Sequence, residues 1–320
     1  MDNIFKYYGI KIGHAHDAKV KTGVTVILPD NPTLCAVDVR GGGPGTRETA
    51  ALQDGGLIEM VHGISLSGGS VYGLAAADAV TNWLGAQGRG YVARPSIPVS
   101  PIVPAAILFD NANGGDKNWT QKGDGTPPFH ALGLAACDLA TYASPEGQIG
   151  AGFGATAGIY RGGFGVATEV VNNMQVTALI ASNPVGSPFM PGTDVPWAWS
   201  YEVDGEFGGK RPPDGYTLRP ATDTKLALIK AAGQATVIGA VITDAALTQK
   251  QAKRLAVMAQ DGLAMSVQPA HTPLDGDTIF ALSSGDVECS SPVALAELGA
   301  GAARCVARAL MRGIYIANNT

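Results

Sequence analysis

The sequence predicts a layered α/β or α+β domain in which strands that adjoin in the chain are covered by long amphipathic helices. The β-branched apolar run at residues 235–243 (ATVIGAVIT) suits a buried strand. Thr248 with Gln251 forms a capping-box pattern ahead of Ala252, Leu255, Met258 and Leu263 near helical spacing. Pro292 directly behind Ser291 opens another long helix, with the serine as its cap. Hydrophobic residues make up 46% of the 320 residues against 15% charged, enough apolar side chain for one large core or two modest ones.

From the N-terminus, residues 23–29 (GVTVILP) and 34–40 (LCAVDVR) read as short strands bounded by Pro and Gly. Residues 41–46 (GGGPGT) are too flexible for regular structure and read as a loop. A strand over 61–67 runs through Gly68, Gly69 and Ser70 into a helix over 71–84. A strand over 102–109 precedes a polar, Gly-rich insert at 111–128, expected to be a mobile surface loop. Next come a helix over 130–142, a glycine-dense loop at 150–158, and strands over 163–171 and 176–182. The Pro-, Gly- and Trp-rich stretch 184–220 has little periodicity and is expected to be an interior linker. The strand over 235–243, a helix over 248–267, a strand over 278–283 and the helix behind Ser291 close the chain.

A net charge of -5, from 22 basic and 27 acidic residues with no basic block, argues against nucleic acid as a partner. The start, MDNIFKYYGIKIGHAHD, carries neither the basic segment nor the apolar stretch of a secretory signal, so a cytoplasmic protein is expected. No window reaches the ~18 uncharged apolar residues of a spanning helix, and no membrane partner is expected. Cys35, Cys137, Cys289 and Cys305 lie far apart without metal-ligand spacing and read as reduced, buried, small apolar residues.

Gly150-x-Gly152-x-x-Ala155 matches a dinucleotide fingerprint in letters only, since residues 143–149 (ASPEGQI) are polar rather than a buried strand. His14-Ala15-His16-Asp17 has no third partner at metal spacing and reads as a turn, so neither metal nor cofactor is expected. Ser70 reads as a helix cap, in a turn whose backbone N–H groups could polarise a carbonyl oxygen.

The most informative region pairs residues 233–244 (GQATVIGAVITD) with residues 271–278 (HTPLDGDT). Asp275 and Asp277 flank Gly276 in a tight turn. Two carboxylates so placed can hold a hydroxyl and a cation together, and their mutual repulsion pushes one pKa upward.

At these residues the chain resembles the self-processing DmpA-type peptidases, which include L-aminopeptidase/D-esterases, β-peptidyl aminopeptidases and nylon-oligomer hydrolases. The resemblance spans nearly the whole length through IGHAHD, AVDVRGGGPGTRET, GGSVYGLAAADAV, IVPAAILFD, GAGFGATAG, ASNPVG, the strand at Thr236 and HTPLDGDTIFAL, in that order. It implies a four-layer α/β/β/α sandwich of the N-terminal-nucleophile type and a single catalytic domain, 1–320, that cuts itself at the Ala235–Thr236 bond. The fragments would be 1–235 and 236–320. Thr236 would then attack amide substrates, with its own new α-amine, of ordinary pKa ~7.7–8.0, as the base.

The same resemblance implies that Tyr72 and Asn183 donate to the oxyanion. Asp275 and Asp277 would orient Thr236, with Asp277 contacting its amine or hydroxyl. It also implies a short peptide, amide or ester as substrate and a homo-oligomer of processed pairs. Three departures stand out. Ala235 sits where relatives commonly carry Asn, and Ile159 where nylon-oligomer hydrolases carry Lys, with Arg161 two residues on as a substitute cation. The segment IVPAAILFD lacks the Glu that holds a substrate amine in β-peptidyl enzymes, which leaves Asp110 as the candidate. Two alternatives stay open: an uncleaved binding or scaffold homologue, and acyl transfer to an amine as in the similarly folded ornithine acetyltransferases.

Overall fold

The computed structural model describes residues 4–53, 55–120, 125–228 and 235–320. In chain order the strands are β1 (Ile10–Asp17), β2 (Thr22–Pro29), β3 (Thr33–Val39), β4 (Thr46–Arg47), β5 (Met60–Val61), β6 (Ile64–Ser67), β7 (Ala105–Ile107), β8 (Thr156–Ala157), β9 (Tyr160–Arg161), β10 (Gly163–Val171), β11 (Met174–Asn183), β12 (Thr236–Ala246) and β13 (Thr278–Glu288). The α-helices are α1 (Ile4–Tyr8), α2 (Ala75–Ala86), α3 (Phe129–Asp138), α4 (Lys225–Leu228), α5 (Gln249–Ala259), α6 (Asp261–Ala264) and α7 (Pro292–Asn319).

A five-stranded sheet, ordered β1-β2-β6-β7-β4, faces a six-stranded sheet ordered β10-β11-β12-β13-β3-β5. Alternation along β12 shows how the layers form. Val237 and Val241 point into a core shared with Leu255 of α5 and Leu310 and Ile314 of α7. Ile238, Ala240 and Ile242 point the other way, onto Ile27, Ile64 and Leu66 of the opposing sheet. That sheet presents Val24, Val26 and Leu28 on its far face to Ala76, Val80 and Leu84 of α2 and Ala136 of α3. The result is the expected four-layer α/β/β/α sandwich. Every residue of β12 from Thr236 to Ala245 is buried, as a central strand covered on both faces requires.

The functional end of the molecule is set by register. β11 and β12 are antiparallel with Asn183 opposite Thr236, and β12 and β13 are parallel with Ile238 opposite Thr278. The start of β12 therefore lies between the end of β11 and the turn that leads into β13. Thr248 caps α5 through a full capping box, and the Ser291 hydroxyl accepts from Ala294 N–H at 3.1 Å to cap α7.

Several expectations are corrected. His14 to Asp17 do not form a turn but belong to the edge strand β1, whose residues 10–17 pair one for one with β2. Val61 to Ser67 is not one strand: the chain breaks at His62 and Gly63, so that β5 joins one sheet and β6 the other. Pro104, which has no N–H, trims the strand expected over 102–109 to three residues. The helix expected over 71–84 begins as a 3₁₀ turn, Ser70–Leu74.

The helix expected over 130–142 stops at Asp138, since Thr141 bonds to Ile12 of β1 instead. The helix expected over 248–267 breaks at Gln260, whose buried side-chain amide donates to the Asp38 carbonyl at 2.9 Å. Stretch 184–220 is not a linker, because Ala198 and Phe207 are buried in the core that contains α7 residues. In the insert 111–128, residues 121–124 lie outside the described residues, as do residues 233 and 234 of the motif before Thr236. The four cysteines are buried and free, and no described helix is long and apolar enough to cross a membrane.

Helix α7 lies directly on β10 because Gly163 and Gly165 have no side chains. A Cβ at Gly165 would fall 2.0 Å from the Ala309 carbonyl oxygen. Gly165→Val should therefore destabilise the protein by ~3 kcal/mol, the upper end of ordinary over-packing, as the clashing atom belongs to a helix backbone. A denaturant midpoint indistinguishable from wild type would contradict this packing.

Candidate active site

Ala235 continues the strand geometry just ahead of Thr236. Its N–H donates to the Leu274 carbonyl at 2.9 Å, and its carbonyl accepts from Gly276 N–H at 3.0 Å. The carbonyl of the Ala235–Thr236 peptide is thus polarised by a backbone donor. The Thr236 hydroxyl donates to that same carbonyl oxygen and is 2% exposed. A Cβ at Gly276 would lie 2.8 Å from the hydroxyl oxygen and 2.7 Å from the Gly43 carbonyl, so only glycine allows the turn to close over Thr236.

The two aspartates of this turn are anchored differently. One Asp277 oxygen accepts Val237 N–H at 2.8 Å; the other accepts His271 N–H at 3.2 Å and meets His271 Nδ1 at 2.7 Å. Asp275 accepts Val185 N–H at 3.1 Å on one oxygen, and Thr272 N–H at 2.8 Å and Thr272 hydroxyl at 2.6 Å on the other. Burial raises Asp275 above the usual carboxylate range, and the charge of Asp277 raises it further. Burial alone would lower His271, but the hydrogen bond and charge of Asp277 outweigh it and raise the imidazole.

Across the register from Thr236, the Asn183 side chain is fully oriented. Its Oδ1 accepts from Thr156 N–H at 2.9 Å and from Lys225 Nζ at 3.0 Å, and its Nδ2 donates to the Phe109 carbonyl at 3.0 Å. Lys225 also reaches the Asn183 backbone carbonyl, at 3.0 Å. Burial pushes the Lys225 amine down to about 7, against the opposing pull of Asp275 and Asp110.

Structure brings Thr236, Asn183, Asp275 and Asp277 together; it places the remaining sequence candidates around them. Tyr72 is 41% exposed on the 3₁₀ turn, edge-on to Trp119, and its hydroxyl makes no hydrogen bond among the described residues. Asp110 is 3% exposed and accepts Gly69 N–H at 2.7 Å, which ties the Tyr72 turn to the loop that meets Asn183. Burial raises its carboxyl above the usual range.

Ser70 is not a helix cap: Gly69 holds that position, and no side chain caps the turn. Ile159 is exposed, and Arg161 lies on a cleft of about 340 Å³ that it shares with Lys21, Asn113 and Thr156, its guanidinium reaching the Ala317 carbonyl at 3.5 Å. The cation beside Asn183 is Lys225 rather than Arg161. His14 is a buried partner of Thr25 and Ser144, pushed down to about 3 by burial, and His16 stacks on Phe153.

Sequence reasoning missed Lys225, Thr156 and His271. Lys225 stands in an unremarkable Lys-Leu-Ala-Leu run, and nothing local marks it. For His271 a signal existed, since it heads the same HTPLDGD segment as the two aspartates.

The family model for Peptidase family S58 matches residues 2–320. The chain belongs to peptidase family S58. Among its family relatives, an uncharacterized aminopeptidase of Mycobacterium bovis is 39% identical over 335 residues, covering 98% of this chain and 94% of the relative. A 6-aminohexanoate-oligomer endohydrolase of Agromyces sp. is 28% identical over 292 residues, covering 89% of this chain and 75% of that protein. The solved L-aminopeptidase D-Ala-esterase/amidase of Ochrobactrum anthropi, described as a variant of the Ntn-hydrolase fold, superposes with a TM-score of 0.67 at 20% identity. That match covers 95% of this chain and 83% of the other. As a family S58 peptidase of this fold, the chain is a hydrolase of amide bonds.

Two outcomes test the geometry. Gly276→Ala should destabilise the protein by ~1–3 kcal/mol, because the added Cβ would meet the Gly43 carbonyl and the Thr236 hydroxyl. A denaturant midpoint indistinguishable from wild type would show that the turn does not close over Thr236.

The His271 imidazole should titrate above the usual ~6.5 by NMR and fall back in Asp277→Asn. With the folded value raised, the stability gained from this pair is complete below pH ~6.5 and is lost as pH climbs through the folded value. A His271 midpoint at or below the ordinary one would contradict the pairing.

Proposed function

We propose that the chain cuts its own Ala235–Thr236 bond and then works as an aminopeptidase-like amidohydrolase with Thr236 as N-terminal nucleophile. The observation that carries this is the Thr236 hydroxyl held against a carbonyl that Gly276 N–H already polarises. In the cut, Thr236 Oγ attacks the Ala235 carbonyl carbon. The developing oxyanion is met by Gly276 N–H, and the peptide C–N bond breaks as nitrogen takes the hydroxyl proton. Water hydrolyses the resulting ester, leaving a carboxylate on Ala235 and a free amine on Thr236.

In turnover the same hydroxyl attacks the carbonyl of a short peptide, amide or ester, passing its proton to the neighbouring amine. Asn183 Nδ2, with one hydrogen on Phe109 and one left over, and the Tyr72 hydroxyl donate to the tetrahedral oxyanion. The amine returns the proton to the leaving group. Water then attacks the acyl-enzyme, releasing the acid and restoring Thr236.

Asp275 holds the end of β11 to the turn through Val185 N–H, and Asp277 holds the start of β12 through Val237 N–H, so both carboxylates act by orienting Thr236. Asp110 acts through the Tyr72 turn, and Arg161 on its cleft is the residue for the far end of a substrate. The reading extends to a homo-oligomer of processed pairs in the cytosol, and four buried free thiols suit such a reducing compartment.

Intact-mass spectrometry of freshly purified protein should show two polypeptides, 1–235 and 236–320. Thr236→Ala should give one uncut, inactive chain, and Thr236→Ser should cut and turn over. A single intact wild-type chain that hydrolyses no aminoacyl amide or ester would favour a scaffold. Transfer of the acyl group to an added amine acceptor would favour acyl transfer.

A further inference from the structure

We propose that Lys225 is a positioning residue of this active site, one that locks the orientation of the Asn183 amide and supplies the positive charge facing Asp110 and Asp275. This rests on the Thr236 reading above.

A side-chain amide can rotate by half a turn and exchange its oxygen for its nitrogen. Here the rotated form is forbidden. It would set Asn183 Nδ2 against two donors, Lys225 Nζ and Thr156 N–H, and Oδ1 against the Phe109 carbonyl oxygen. With the observed orientation enforced, one Nδ2 hydrogen is spent on Phe109 and the second is free for a reacting oxygen. Lys225 acts on that hydrogen without touching the substrate. Its second bond, to the Asn183 backbone carbonyl, fixes the end of β11 opposite Thr236 as well.

Lys225 lies eleven residues before Thr236 in the chain, yet its place does not depend on the Ala235–Thr236 bond. The preceding residues are clipped to the large fragment. The Asp223 carbonyl accepts Ile159 N–H at 3.1 Å, and its carboxylate accepts the Tyr160 hydroxyl at 3.1 Å and the Ser187 hydroxyl at 2.5 Å. Thr224 is buried, and Lys225 N–H donates to the Val185 carbonyl at 2.9 Å. After a cut behind Ala235, all of these bonds remain within residues 1–235.

The charged groups that face the ammonium are Asp275, from the turn before β13, and Asp110, from the loop after β7. A hydrogen bond from a charged donor is roughly twice as strong as a neutral one, so loss of the proton weakens both bonds to Asn183. Burial brings that proton loss down to about pH 7. Turnover should accordingly show a rising limb, as the Thr236 amine becomes neutral, and a falling limb that belongs to Lys225.

The experiment is steady-state hydrolysis of L-alanine p-nitroanilide by processed protein across pH, for wild type, Lys225→Met and Lys225→Arg, each with a thermal melt. In Lys225→Met, kcat should drop by ~10²-fold, the scale of losing one oriented oxyanion donor. KM should change by less than ~2-fold, and the falling limb should vanish. Lys225→Arg should recover part of kcat and also lack the falling limb, because a guanidinium does not titrate in this range.

A Met variant with wild-type kcat, or either variant with the wild-type falling limb, overturns the assignment. Should the Met variant melt far below wild type, the Arg variant decides alone by its limb. A wild-type chain that neither cuts nor hydrolyses overturns this assignment together with the Thr236 reading. A cut, active wild type with pH profiles indifferent to Lys225 overturns the Lys225 role alone.

Discussion

The absence of a side chain at Gly276 is the constraint on which the site depends. The 274–276 backbone comes close enough to the start of β12 to bond Ala235 through both its N–H and its carbonyl, a distance no Cβ would permit. The approach is doubled from the other side. A Cβ at Gly41 would fall 2.1 Å from the Asp275 carbonyl oxygen, so the glycine loop that follows β3 also needs bare backbone where it meets the turn. Two glycine-bearing segments thereby form a lid of backbone over Thr236, and the carboxylates on either side of Gly276 reach the ends of two neighbouring strands.

Buried charge explains why each of these carboxylates is held by at least one backbone donor. An isolated carboxylate or ammonium in the interior costs several kcal/mol unless it is hydrogen-bonded and neutralised. Asp275, Asp277 and Asp110 are each almost fully buried, and each holds at least one backbone N–H. Lys225 answers two of them at a distance while bonding Asn183 directly. The same pairings that offset the cost of burial also fix directions: the Asn183 amide, the Thr236 backbone and the Tyr72 turn are each held by one of these charges. Rigidity of this kind suits electrostatic stabilisation, which works only when the donors are in place before charge develops.

Much of this was legible in the chain because local rules and tertiary demands agree. The capping box at Thr248, the Ser291-Pro292 start and the β-branched run at 236–243 all appear where local chemistry puts them. Local rules failed where a distant partner prevailed. The segment His14-Ala15-His16-Asp17 reads as a turn when taken alone, yet β2 offers β1 eight consecutive partners and makes it part of a strand. The run 61–67 looks continuous, but its two halves pair with different sheets. Among site residues, Thr236, Asn183, Asp275 and Asp277 were recoverable through motif order, whereas Lys225 was not, since an isolated lysine in a short helical turn has no local signature.

By itself the sequence determined the strand and helix periodicity, the alternation that buries β12 on both faces, and the Asp-Gly-Asp turn, for each of these is settled within a few residues along the backbone. Only the tertiary structure decided which atoms meet. Lys225 and Asn183 are separated by 42 positions, and Val237 and Asp277 by 40. Bringing such groups within 3.0 Å depends on sheet register and loop closure, which no single segment encodes.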